Sequence, residues 1–239
     1  METRAREPWA ERDVYYALIG DVVSSRSLTN RAEVQHRLQE LAATLNGELE
    51  DGALAAPLRV TAGDELQGLL ERPEPVVDIT VRLADHLHPV RLTWGLGRGT
   101  LTTELGADVA TLDGPCFHRA RRAAERAAEE DRWLLEEGLP SPQGRILTAL
   151  FALMSGIRSD WTETQAKYVR EVRGRRQKDV AEELGRHKST ISKALASSRY
   201  EEIEEGEGAA RDLLRWIVSD GAEDGEPKEG DERRDGRST

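Results

Sequence analysis

The chain has 239 residues, a formal net charge of −11, 38% hydrophobic and 33% charged residues, enough for one large or two smaller soluble domains. A single cysteine, Cys116, excludes an intramolecular disulfide and a cysteine-only zinc site, and no run approaches the ~20 apolar residues of a membrane span. The N-terminal METRAREPWAERD lacks the apolar core of a secretion signal, so a cytoplasmic protein without membrane contact is expected.

Val14–Ile19 is a short apolar run that reads as a buried strand ended by Gly20-Asp21. Thr29 to Leu49 follows as a helix, with Val34, Leu38, Leu41, Leu45 and Leu49 along one stripe. Leu58–Ala62 and Glu65–Leu70 read as a hairpin turning at Gly63-Asp64. Pro73 and Pro75 open a helix running to about His88, with Val76, Ile79 or Thr80, Leu83 and Leu87 inward. Val90–Gly97 is a further strand, Thr100–Leu105 is placed to pair back onto it, and Phe117 to Glu130 is an Arg- and Ala-rich helix.

Gly138–Pro142 has the composition of a linker. Beyond it, Gln143–Ile157 is an apolar helix with Ile146, Leu150, Leu153 and Ile157 inward, placed to pack in the second domain or form a dimer seam. Thr162 and Gln165 have the spacing of a capping box for a helix over Glu163–Val172. Tyr200 to Val218 is a last helix, weakened by Gly206 and Gly208, with Leu213, Leu214, Trp216 and Ile217 available to pack. The order strand–helix–strand–strand–helix–strand gives an α+β protein: a ferredoxin-like antiparallel sheet domain over 12–137, then an all-α domain over 143–218. The charged stretch 219–239 has a disordered composition.

Gln177 to Ser198 carries the clearest functional signal. Val180, Leu184, Ile191 and Leu195 give two helices inner faces, Ala181 is small where they must meet, and Gly185 suits a turn with positive φ. His187 or Ser189 can cap the second helix. This is the pattern of a helix-turn-helix over 177–198. Its second helix presents Lys188, Ser189, Thr190, Ser192 and Lys193, types that bond phosphates and base edges. Arg176, Lys178 and His187 extend the candidate DNA-binding set. Between positions 158 and 199 eleven basic residues face six acidic ones, a local balance of +5 inside an acidic chain. The stretch Trp161–Ser198 resembles the DNA-binding helix-turn-helix of sigma-factor region 4 and of many bacterial regulators.

In the first domain, Asp21 and Asp64 follow strand ends and are expected near one another on adjacent strands, where two carboxylates can hold Mg²⁺ or Mn²⁺ and through it a nucleotide. Ser24, Ser25 and Arg26, with the start of the next helix, form a candidate phosphate cradle. The segments ALIGDVVSSR, VTAGDELQGLL, VRLTWGLGRG and DGPCFHRARRA are similar to those of the SatD family and, more distantly, to the catalytic core of class III nucleotidyl cyclases. The cyclase resemblance implies a metal role for Asp21 and Asp64, transition-state roles for His118 and Arg122, and base contact for Thr111. It departs from the cyclase pattern in carrying His118 where cyclases have Asn, and no lysine before Gly63-Asp64. Cys116 reads as a small core residue.

These features together imply a homodimeric regulator that binds double-stranded DNA and senses a nucleotide or other phosphorylated ligand. One alternative is a metal-dependent nucleotidyl cyclase or transferase localised by its helix-turn-helix. Another is a protein-interaction scaffold.

Overall fold

A computed structural model of the chain describes residues 14–25, 28, 30–61 and 63–223. The candidate Arg26 and the stretch from 224 onward lie outside the described residues. Five strands form one mixed sheet: β1 (Tyr15–Val22), β2 (Leu54–Val60), β3 (Glu65–Leu70), β4 (Leu92–Gly99) and β5 (Leu134–Glu137), in spatial order β2-β3-β1-β4-β5. The helices are α1 (Arg31–Glu48), α2 (Pro75–Leu87), α3 (Pro115–Glu129), α4 (Gln143–Ser159), α5 (Glu163–Val172), α6 (Gln177–Glu183), α7 (Lys188–Ser197) and α8 (Tyr200–Glu223).

The first four strands pair antiparallel, as expected, but β5 runs parallel to β4, so the sheet is mixed rather than antiparallel. Leu134–Glu137 is too short to show a period, and only its pairing with Trp94–Gly97 makes it a strand. Thr100–Leu105 does not pair back as a strand. It is held instead by Thr102, whose N–H donates to the Asp113 carbonyl at 2.9 Å.

Strand alternation sorts the sheet into two faces. Tyr16, Leu18, Leu66, Leu70, Trp94 and Leu96 face α1 and α2, while Ala17, Ile19 and Leu69 face α3. On the α3 side, Gly95, Gly97 and Gly99 let the helix backbone at Cys116, Ala120 and Ala124 lie directly on β4. Helix α2 is buried nearly all round because the helices from α4 onward cover its outer side; its core residues join theirs in one hydrophobic cluster. Trp133, just before β5, packs edge-to-face on Phe151 of α4 with centroids 5.1 Å apart.

A buried ionic network crosses the same seam. Asp85 of α2, 2% exposed, accepts from Arg158 Nη2 at 2.6 Å and from Arg173 Nε. Arg173 also bonds both oxygens of Glu207 on α8 at 2.8 and 2.9 Å, and Arg211 bridges Glu207 to Asp78 of α2.

Helix α4 keeps half of the expected stripe against the core: Leu150 and Ile157 are half-buried there, whereas Ile146 is 44% and Leu153 69% exposed. The fully buried apolar residues are Leu147, Phe151 and Met154, so the inward face is rotated toward Phe151. Trp216, expected to pack, is 51% exposed. Gly206 and Gly208 do not interrupt α8, which continues through residues 219–223; Gly206 sits where a Cβ would meet Met154 Sδ at 3.1 Å, so it permits α8 to approach α4.

Candidate functional site

The surface built by α5, α6 and α7 follows from local sequence. Thr162 and Gln165 form the capping box that starts α5. Trp161 Nε1 donates to the Ser198 carbonyl at 2.7 Å and Gln165 to Ser197 at 3.0 Å, tying the start of α5 to the end of α7. Helix α6 ends in a Schellman turn: Gly185 at φ +60 donates to Glu182 and Arg186 donates to Ala181 at 2.8 Å. Val180, Ala181, Ile191 and Leu195 are buried between the helices. His187 stands at the N-cap of α7, but its side chain makes no capping bond.

All eight expected contact residues, Arg176, Lys178, His187, Lys188, Ser189, Thr190, Ser192 and Lys193, are exposed. On α7, Ser189 and Lys193 are four residues apart and lie on the side opposite Ile191 and Leu195, with Ser192 on its flank; Lys188, three residues before Ile191, is exposed because it opens the helix. Lys178 is partly neutralised by Glu182 at 3.7 Å. Arg176, Lys188 and Lys193 have neither an ion pair nor a side-chain hydrogen bond among the described residues. Two residues outside the expected set, Lys167 and Arg186, are in the same condition. Elsewhere among the described residues only Arg121 and Arg145 are exposed and equally free. Arg186 was legible as the basic residue of the turn; the free state of Lys167 is set by tertiary surroundings.

The sheet domain brings Asp21, Asp64 and Glu65 to one end. Asp21 is paired across the strands with Glu65 on one side and Thr93 on the other, and Asp64 is the turn residue beside Glu65. Partial burial, then repulsion from Asp64 and Glu65, lifts the Asp21 carboxyl above its ordinary value. Arg31 of α1 holds Asp64 at 3.2 Å, and Glu65 accepts from Gln67 and from Thr61. No group of three or more His, Cys, Asp or Glu among the described residues is arranged to hold a metal ion; the corner offers the two expected carboxylates, Asp21 and Asp64, with Glu65 beside them. Ser24, at φ +55, and Ser25 form the turn after β1 at the same end.

His118 and Arg122 lie elsewhere. Arg122 grips the Glu137 carboxylate with two N–H groups, keeping that acid below the usual carboxylate range. Glu137 is level with Gly97, four residues along β4 from the Thr93 that faces Asp21, about 13 Å at ~3.3 Å per residue. His118 pairs with Asp113 at 3.0 Å, nearer the N-terminal end of α3 and the far end of β4. Thr111 lies in a 3₁₀ turn against β2 and β3 and donates to the Asp108 carbonyl at 2.8 Å. One chain therefore does not place Asp21, Asp64, His118 and Arg122 around a common substrate.

The sequence model of the SatD family (SatD) matches residues 15–213. The chain belongs to the SatD family. No curated protein matches it. A solved structure, the regulator of polyketide synthase expression from Bifidobacterium adolescentis, is 14% identical over 89% of this chain and 87% of its own, with a TM-score of 0.23. A likeness that low carries nothing about fold or function.

In this SatD-family chain Cys116 is a core residue in the first turn of α3, on the side facing the sheet. It is fully buried, and that burial pushes its thiol up to about 11. The thiolate is the reactive form, so an aromatic disulfide reagent at pH 8 should leave the native protein unlabelled and release one equivalent of chromophore only in denaturant. Rapid labelling of the native chain would contradict this placement. No helix among the described residues is long and apolar enough to cross a membrane.

Proposed function

We propose that this SatD-family chain is a DNA-binding transcriptional regulator. In this reading α6 and α7 are a helix-turn-helix, α7 enters the major groove, and the sheet domain is a ferredoxin-like module that senses a nucleotide or other phosphorylated ligand. The observation that carries it is the exposed face of α7: Lys188 and Lys193 stand free beside Ser189 and Ser192, flanked by free Arg176 and Arg186, in a chain most of whose other cations are paired. Unpaired cations beside hydroxyls on a rigid helix suit phosphate and base-edge contact. The Schellman turn at Gly185 and the buried Ala181 support the close helix crossing that such a motif needs.

The strand order and the helix sequence support the ferredoxin-like part of the reading. Regulators of this kind bind paired half-sites as dimers. Ile146 and Leu153 on α4 and Trp216 on α8 offer exposed apolar surface for a second copy.

The test is selection of duplexes from a randomised pool, followed by anisotropy titrations of the selected site over a range of salt. Lys188→Ala with Lys193→Ala should weaken binding at least ~10-fold at low salt. It should also flatten the slope of log affinity against log salt by about 2, since each lost phosphate contact removes ~0.9. A double variant with unchanged affinity and slope would sink the reading.

A further inference from the structure

A cavity lies beside the segment that leads into β4. It holds about 420 Å³ at the seam between the sheet and α4, within the size range of small-ligand pockets. One wall is the segment from His88 to Leu92 with Asp131, Arg132 and Trp133; the other is α4 from Ala152 to Ser159, with Trp161.

Its charge is unbalanced. The guanidinium of Arg158 lies over the rings of both Trp133 and Trp161, 5.1 and 4.5 Å from their centroids. Its Nη2 bonds Asp85, but its Nη1 is buried with no partner among the described residues. Arg132 Nε is buried in the same condition. Both atoms are closed off from the cavity itself, but they leave two guanidinium groups on its wall short of partners, which is costly. The nearby acids do not answer them: Asp131 is engaged by Arg91 at 2.6 Å, and Asp85 is shared between Arg158 and Arg173. His88, on the wall, is held below the ordinary imidazole value by burial and by Arg158.

We propose that this cavity is an effector site for a small organic anion, whose carboxylate or phosphate takes the Nη groups of Arg132, which have no partner among the described residues, beside the positive charge of Arg158, and whose apolar body lies along Val90, Leu92 and Ala152. Charge-assisted bonds from one guanidinium group, with a second positive charge beside it, suit such an oxyanion. Arg158 links the site through Asp85 to Arg173, which directly precedes the turn into α6. The purpose of the site rests on the regulator reading; its existence does not, because binding is measured without DNA.

The experiment titrates the full chain with benzoate, phenyl phosphate, inorganic phosphate and neutral benzamide, followed by calorimetry and tryptophan fluorescence. Benzoate or phenyl phosphate should bind saturably and benzamide should not; the tighter of the two names the headgroup. Arg132→Gln should weaken that binding at least ~10-fold, since Arg132 makes no side-chain bond that folding would lose. Gly156→Leu should weaken it equally by filling the space beside the cavity. A Cβ there meets no atom within 4 Å and leucine is a better helix former, so the variant should melt no lower than the parent. Absence of binding by either organic anion, equal binding by benzamide, or undiminished binding in both folded variants would overturn the proposal.

Discussion

Asp85→Asn should lower the unfolding free energy by about 3–5 kcal/mol, the usual loss when one partner of a buried ion pair is removed. The substitution keeps the volume and removes the charge. Asp85 is almost wholly buried, and both of its oxygens are taken by guanidinium groups that are themselves largely buried, at 11% and 19% exposure. Arg158 would keep its stacking on two tryptophans but lose its anion. Arg173 would keep Glu207, so half of its compensation survives. Although burial works against the charge on Arg173, Asp85 and Glu207 together hold it even more firmly protonated than usual. An asparagine would offer one oxygen and turn an NH₂ group toward a cation. The measurement is a urea titration: the midpoint should fall with the slope unchanged, and a thermal midpoint should drop by roughly 10 °C. A variant as stable as the parent would show that the network contributes no net stability. Because Asp85 joins α2 to the turn before α6, this residue also bears on how firmly α6 and α7 are held to the sheet domain.

Gly95→Ala should cost ~3 kcal/mol or more, at the upper end of what overpacking does to a core. A Cβ at Gly95 would stand 2.0 Å from the Ala120 carbonyl oxygen and 2.3 Å from the Ala124 nitrogen. Both are backbone atoms of α3, so no side chain can rotate away and the helix must lift from the sheet. Gly97 meets the same helix one turn earlier, at the Cys116 oxygen and the Ala120 nitrogen. The control is Gly208→Ala in α8, where a Cβ meets nothing within 4 Å and the gain should be up to ~1 kcal/mol from helix propensity alone. Chemical denaturation of both variants separates the two effects. A Gly95→Ala protein matching the control would mean that α3 does not lie as close to β4 as described.

Much of this fold is legible from local pattern because the physics there is local. Short apolar runs, turn residues and the 3.6-residue apolar spacing of the helices place β1, α1, β3, α2 and β4, and composition places α3, within a few residues of where they occur. Thr162 and Gln165 announce the start of α5, and Gly63 and Gly185 take the positive φ that their turns require. The exposed face of α7 is legible too, since Ile191 and Leu195 fix which side is inward and leave Ser189, Ser192 and Lys193 outside, while Lys188 is exposed as the first residue of the helix.

What local pattern could not supply are the features that depend on partners distant in the chain. Leu134–Glu137 has no period and becomes a strand only through Trp94–Gly97. Helix α4 is apolar over a wide face, and only its packing, Phe151 on Trp133 included, buries Leu147, Phe151 and Met154 and leaves Ile146 and Leu153 exposed. The separation of Arg122 from Asp21 follows from the register of β4 with its neighbours and from the engagement of Glu137, neither of which spacing along the chain encodes. Asp85, Arg158, Arg173 and Glu207 read as ordinary surface charges, and only the packing of α4, α5 and α8 over α2 buries them together. Sequence thus decides the elements and their inward faces, because each residue's neighbours three or four positions away are always present. Tertiary structure decides which charges are buried, paired or left free, because that depends on which surfaces meet.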